Sequence, residues 1–178
     1  ILAGVIWTPN AMGVAPVATE GKTPFVVMNA ATSVVSTASP YIVRTSMTIW
    51  QSAYPMGGWA AKNNLKNVYI ATTDYAPGTD ALEVFSKGLT EAGGTVAGTV
   101  RMPIANPDFV PFLQRIKDAK PQAVFTFVPG GPQATAFMKT FTDLGLPQAG
   151  VKLIGTGDIT DDYELPNMGD APLGVITA

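Results

Sequence analysis

Residues 24–37, PFVVMNAATSVVST, change character halfway. After Pro24, the four apolar residues Phe25, Val26, Val27 and Met28 predict a short, fully buried strand. The chain then runs directly into Asn29, Ala30, Ala31, Thr32 and Ser33, which are small and carry donors but no charge. In an α/β protein such a stretch, at the carboxyl end of a buried strand, is where a ligand site belongs. The competing reading is a Ser/Thr-rich turn that satisfies only its own backbone. The local sequence leaves both open.

Working outward, the same kind of run recurs. Leu2–Ile6, Tyr41–Arg44, Val68–Thr72, Thr95–Arg101, Ala123–Val128, Lys152–Ile154 and Gly174–Thr177 all read as short strands. Between most of them lie helical patterns. Leu82, Phe85 and Leu89 share one face, as do Phe109, Phe112, Leu113 and Ile116, and again Phe137, Phe141 and Leu144. The opposite faces carry Lys87, Glu91, Arg115, Lys117, Lys139 and Asp143. EAGG, DAKP and DLGLP supply the stops. Strand–helix alternation of this kind predicts an α/β protein with parallel sheets and crossover helices. In YIVRTSMTIWQSAYPMGG a strand, a polar crossing and a helix follow one another without a strong turn, so Thr45–Thr48 is expected to link two lobes.

Composition bounds the function. With 47% hydrophobic and 13% charged residues over 178 positions, the chain can build one good core or two modest ones. No apolar run approaches the ~20 residues of a membrane-spanning helix, so direct membrane insertion is not expected. A net charge of −2 without a basic cluster offers nothing to nucleic acid. The chain has no cysteine and no histidine, which removes thiol catalysis, Ser-His-Asp triads and zinc or haem ligation by those residues. A cysteine-free chain suits an oxidising compartment. Residue 1 is Ile and no basic segment precedes an apolar stretch, so no signal peptide is read here; on an exported protein it would have been removed.

No enzyme motif is found. EAGGTVAG and GTGD do not fit a dinucleotide fingerprint, and no phosphate-binding G-x-x-x-x-G-K-[ST] occurs. DITDDYE, with Asp158, Asp161, Asp162 and Glu164, lacks the spacing and glycine of a calcium loop and is expected to be a solvated helix start. What remains is a set of strand-end loops: Ile6-Trp7-Thr8-Pro9-Asn10, Asn29–Ser33, TTDYAPGTD with Tyr75, VPGGPQ with Gly130 and Gly131, and GTGD with Asp158. Small residues let backbone N–H groups approach a ligand, hydroxyls orient it, and Trp7 and Tyr75 offer walls with polar tips. Together these loops point to a small organic anion gripped by neutral donors.

The segments ILAGVIWT, NAATS, SPYIVRTS, ATTDYAPGTD and LIGTGD, in this order, resemble the periplasmic leucine/isoleucine/valine-binding protein family, the solute receptors of branched-chain amino acid ABC importers. The resemblance runs along essentially the whole chain. It implies a two-lobed, parallel-sheet clamshell of the type I periplasmic binding protein kind, in which residues 1–47 form part of the first lobe and residues 48–178 the second, with the crossing near 45–48. One lobe would be complete and half of the other missing, as in a fragment. It further implies a periplasmic receptor without catalytic activity or cofactor, handing a small carboxylate ligand to membrane permease subunits.

The resemblance also assigns roles. Ala30, Ala31 and Thr32 match the turn that holds the ligand carboxylate, Trp7 and Thr8 match the serine-rich loop beside it, and Tyr75 matches a tyrosine of the second lobe. Trp7 departs from the family pattern and narrows the pocket. Gly157 stands where amino-acid receptors place a glutamate for the ligand ammonium, with Asp158 next to it, and Gly130 or a neighbour replaces a second aromatic residue. Burying an ammonium without a carboxylate partner costs several kcal/mol. Either Asp158 takes the glutamate's place, or the ligand lacks an ammonium; the enlarged space at Gly130 favours a bulkier, aromatic acid over a branched-chain amino acid. Two rivals stand beside this reading: a ligand-sensing regulatory receptor of the same fold, and an α/β enzyme acting on a small organic acid.

Overall fold

The computed structural model describes residues 1–178. All eight apolar runs form strands: β1 (Leu2–Gly4), β2 (Phe25–Val27), β3 (Ile42–Arg44), β4 (Asn67–Thr73), β5 (Thr95–Met102), β6 (Ala123–Phe127), β7 (Lys152–Gly155) and β8 (Ile176–Thr177). They are joined by α1 (Thr8–Glu20), α2 (Ile49–Lys62), α3 (Ala76–Glu91), α4 (Val110–Ala119), α5 (Pro132–Asp143) and the short α6 (Leu165–Met168). Every strand pairing is parallel. The chain divides into two compact units, Ile1–Gln51 and Ser52–Ala178, with the boundary inside α2. No helix is long and apolar enough to cross a membrane.

The first unit holds a three-stranded sheet in the order β1-β2-β3. Its core is small: Ala11 and Ala18 of α1 cover Phe25 and Val27 of β2, with Ala30 and Val35 beside them. Residues 6–10, expected from the sequence to be a strand-end loop, instead start a helix at Thr8, with Trp7 in an extended N-cap conformation and a proline in its first turn. A proline at that point is compatible with a helix because the N–H it lacks has no intrahelical partner there.

The second unit is a five-stranded sheet in the order β5-β4-β6-β7-β8. Alternation along each strand feeds two cores. Phe125 of β6 stacks on Phe85 of α3, ring centroids 3.9 Å apart and 8° from parallel. Tyr69, Ala71, Val124 and Leu153 turn the other way, onto Leu113 and Ile116 of α4 and Phe137 and Phe141 of α5. The periodicity of the sequence therefore reports real buried faces, each large apolar side chain contributing about 1.5–3 kcal/mol of burial. Glycine lets α2 and α3 meet backbone to backbone: a Cβ on Gly57 would lie 2.5 Å from the Phe85 carbonyl oxygen, and one on Gly88 would strike the Tyr54 carbonyl.

The acidic stretch DITDDYE departs from expectation. Gly157–Thr160 form a 3-10 turn, and α6 begins only at Leu165. Glu164 is not solvated; it is buried and accepts a hydrogen bond from Thr135 Oγ1 at 2.8 Å. A solvated helix start was the wrong reading for this residue because α5 supplies a hydroxyl that the local sequence does not reveal.

Candidate functional site

In parallel sheets all carboxyl ends lie along one edge, so the loops singled out in the sequence fall into one group in each unit. In the first unit the ends of β1 and β2 are tied together by a hydrogen bond from Ala30 N–H to the Ile6 carbonyl at 2.9 Å. This brings Trp7, Thr8, Ala30, Ala31 and Thr32 into one neighbourhood. Thr8, the first residue of α1, is 3% exposed, and its Oγ1 has no hydrogen-bond partner. A buried hydroxyl in that state costs about 1–3 kcal/mol, so its retention needs a reason.

The turn after β2 is built unusually. Ala30 has φ 56°, left-handed for a residue with a Cβ, a conformation that costs roughly 1–2 kcal/mol. Its N–H is committed to Ile6, so Ala30 shapes the turn, and donors come from the residues after it. Four successive carbonyls accept hydrogen bonds from within the unit. Asn29 O takes them from Arg44 Nη1 (2.9 Å) and Ser46 Oγ (3.1 Å). Ala30 O and Thr32 O both take them from Arg44 Nη2, at 3.0 and 2.8 Å. Ala31 O takes one from Ile49 N–H at 2.9 Å. In a trans peptide the N–H points opposite to the C=O, and no peptide here is cis. The N–H groups of Ala31, Thr32 and Ser33 are therefore directed away from Arg44 and Ile49. A backbone N–H such as that of Ala31, directed away from the group that holds its own peptide carbonyl, is a donor of the kind an anion takes.

In the second unit Tyr75, Gly130 and Asp158 follow β4, β6 and β7. Tyr75 is the extended N-cap of α3, half-buried, and its ring stacks on Phe127 with centroids 5.9 Å apart. Burial pushes the Tyr75 phenol above its ordinary value, and the negative charge of Asp158 pushes it further in the same direction. Asp158 is exposed and receives a hydrogen bond from Thr156 Oγ1 at 2.8 Å on Oδ2. A Cβ on Gly130 would come within 3.2 Å of the Asp158 carbonyl oxygen, so this glycine adjoins the Asp158 turn. The second unit thus offers an aromatic platform beside a fixed acceptor. No group of three or more acidic side chains is arranged to hold a metal ion.

Sequence reasoning missed Arg44. Its signal was indirect: in the first 51 residues the charged residues are Glu20, Lys22 and Arg44, and Arg44 sits at a strand end with no acid near it in sequence.

The chain is similar to known proteins along its length. A model of the family described as periplasmic binding protein matches residues 1–178. A protein of Brucella melitensis named Leu/Ile/Val-binding protein homolog 6 is 47% identical over 176 residues, 99% of this chain and 45% of that protein. The chain therefore spans about half the length of the curated relatives it matches. Among solved structures, the solute-binding protein of an ABC transporter from Rhodopseudomonas palustris BisB5, in complex with 3,4-dihydroxybenzoic acid, is 53% identical with a TM-score of 0.94, covering 98% of this chain and 48% of that one. Another from R. palustris, in complex with 4-hydroxybenzoate, is 49% identical with a TM-score of 0.94, covering 97% and 47%.

Proposed function

This chain belongs to the periplasmic binding protein family, and we propose that it serves as the extracytoplasmic solute receptor of an ABC importer, with a hydroxylated aromatic acid as its ligand. Each unit contributes candidate ligand-binding residues. Thr8 Oγ1 and the N–H group of Ala31 take the carboxylate. Trp7, Tyr75 and Phe127 provide aromatic surface, with Gly130 leaving room for the ring. The observation that carries the reading is the buried, unpartnered Thr8 hydroxyl beside a turn in which Arg44 holds the Ala30 carbonyl and so turns the Ala31 N–H to the opposite side.

Asp158 supports the finer choice. An exposed carboxylate repels the acid end of a ligand and favours a donor, and a ring hydroxyl is such a donor. The relatives of known structure that bind 3,4-dihydroxybenzoic acid and 4-hydroxybenzoate support this assignment. A branched-chain amino acid, whose ammonium would meet Asp158, is the second reading, favoured by the name of the Brucella relative. The receptor works in the periplasm, and membrane permease subunits take the ligand from it; ligand binding shifts its conformational population toward the state they recognise. Calorimetric titration with 4-hydroxybenzoate, benzoate and leucine tests the assignment. The aromatic acids are expected to bind and leucine to bind at least about tenfold more weakly, a difference of about 1.4 kcal/mol. Tight leucine binding with no heat from either aromatic acid would refute it.

A further inference from the structure

We propose that Arg44 is a positioning residue of the carboxylate site: its guanidinium holds the Asn29–Thr32 turn by its carbonyls and so aims the Ala31 amide at the ligand. This rests on the receptor reading above for its function, and on the geometry of the first unit alone for its structural part.

An arginine side chain has five N–H donors, and Arg44 commits all five. Nε donates to Ser36 Oγ at 3.0 Å; Nη1 donates to Asn29 O at 2.9 Å and Ser46 Oγ at 3.4 Å; Nη2 donates to Ala30 O at 3.0 Å and Thr32 O at 2.8 Å. None remains for a ligand, so Arg44 acts through the turn. The fork geometry matters. One planar group bridges carbonyls at positions 29, 30 and 32, across the left-handed Ala30, and a single ammonium cannot hold that spacing in one plane. The partners are all neutral, so the positive charge is not neutralised by an acid within the first unit, whose one carboxylate side chain is Glu20. Partial burial lowers the Arg44 pKa through desolvation alone, as expected of a guanidinium with no carboxylate beside it. A fixed positive charge behind the carbonyls also strengthens the outward amide dipoles that an anion meets.

The test uses Arg44→Gln and Arg44→Lys, read by amide hydrogen exchange and by titration with 4-hydroxybenzoate. The Ala30 N–H, bonded to Ile6 O, reports the order of the turn, and the Met28 N–H, bonded to Gly4 O, reports the sheet. Both variants are expected to speed Ala30 exchange by about tenfold or more, because hydrogen bonds to a charged donor are lost, while Met28 changes by less than about twofold. Affinity is expected to fall by about tenfold or more in both, with no rescue by lysine. Unchanged Ala30 exchange, an equal loss of protection at Met28, or wild-type values in Arg44→Lys would each overturn the proposal. If the wild-type protein binds no carboxylate at all, the receptor reading falls, whereas the exchange rates still decide whether Arg44 orders the turn.

Discussion

Replacing Thr8 by valine separates a binding group from a structural one. Valine keeps the β-branched shape and removes the hydroxyl. Thr8 Oγ1 is buried without a partner, so deleting it relieves a desolvation cost of about 1–3 kcal/mol. Stability in urea is therefore expected to stay level or to rise by up to about 2 kcal/mol, the lower figure allowing for relaxation around the new methyl group. Ligand binding should move the other way. A hydrogen bond to a charged carboxylate contributes about 1.5–3 kcal/mol, so affinity for 4-hydroxybenzoate should fall by roughly 10- to 150-fold. Few substitutions of a core-facing residue improve stability while weakening binding, and that opposition is the diagnostic. A variant that loses more than about 1 kcal/mol of stability and keeps its affinity would show that the hydroxyl serves the fold, and the assignment of the carboxylate site would fail with it.

Two further perturbations probe the second unit. Because the Tyr75 phenol is raised above its ordinary value of 10 by burial and then by Asp158, the unfolded chain ionises first, so stability falls as pH rises through and above 10. At pH 11 the wild type should lose about 1 kcal/mol relative to Tyr75→Phe, compared with their difference at pH 9; parallel pH curves for the two proteins would refute the placement. Asp158→Ala should weaken 4-hydroxybenzoate by about tenfold through loss of a charged acceptor and leave benzoate within about twofold. Equal losses for both acids would mean that Asp158 does not meet the ring hydroxyl.

Much of the architecture was legible because central strands such as β4 and β6, buried on both faces, read as nearly uninterrupted apolar runs. All eight runs became strands, and the faces of Phe85, Leu113 and Phe137 sit in the cores. α1 was missed for a physical reason. Its buried positions include Ala11, Ala15 and Ala18, whose small side chains give weak apolar contrast, and Pro9 and Pro16 look like breakers. The strand-end loops could be named from sequence, since the carboxyl edge follows from topology. Which groups there stay unpartnered could not. Thr8 and Thr32 are both buried threonines, and only coordinates distinguish the one whose hydroxyl lacks a partner. Arg44 was hidden for a related reason: its five acceptors are two serine hydroxyls and three carbonyls, and carbonyls leave no mark in a sequence.

The most direct measurement is a crystal structure of the protein grown with 4-hydroxybenzoate. The carboxylate oxygens are expected within about 3.2 Å of Thr8 Oγ1 and of the Ala31 amide nitrogen, with the ring hydroxyl toward Asp158. A carboxylate bound elsewhere, leaving Thr8 Oγ1 without a partner, would contradict the proposed receptor site.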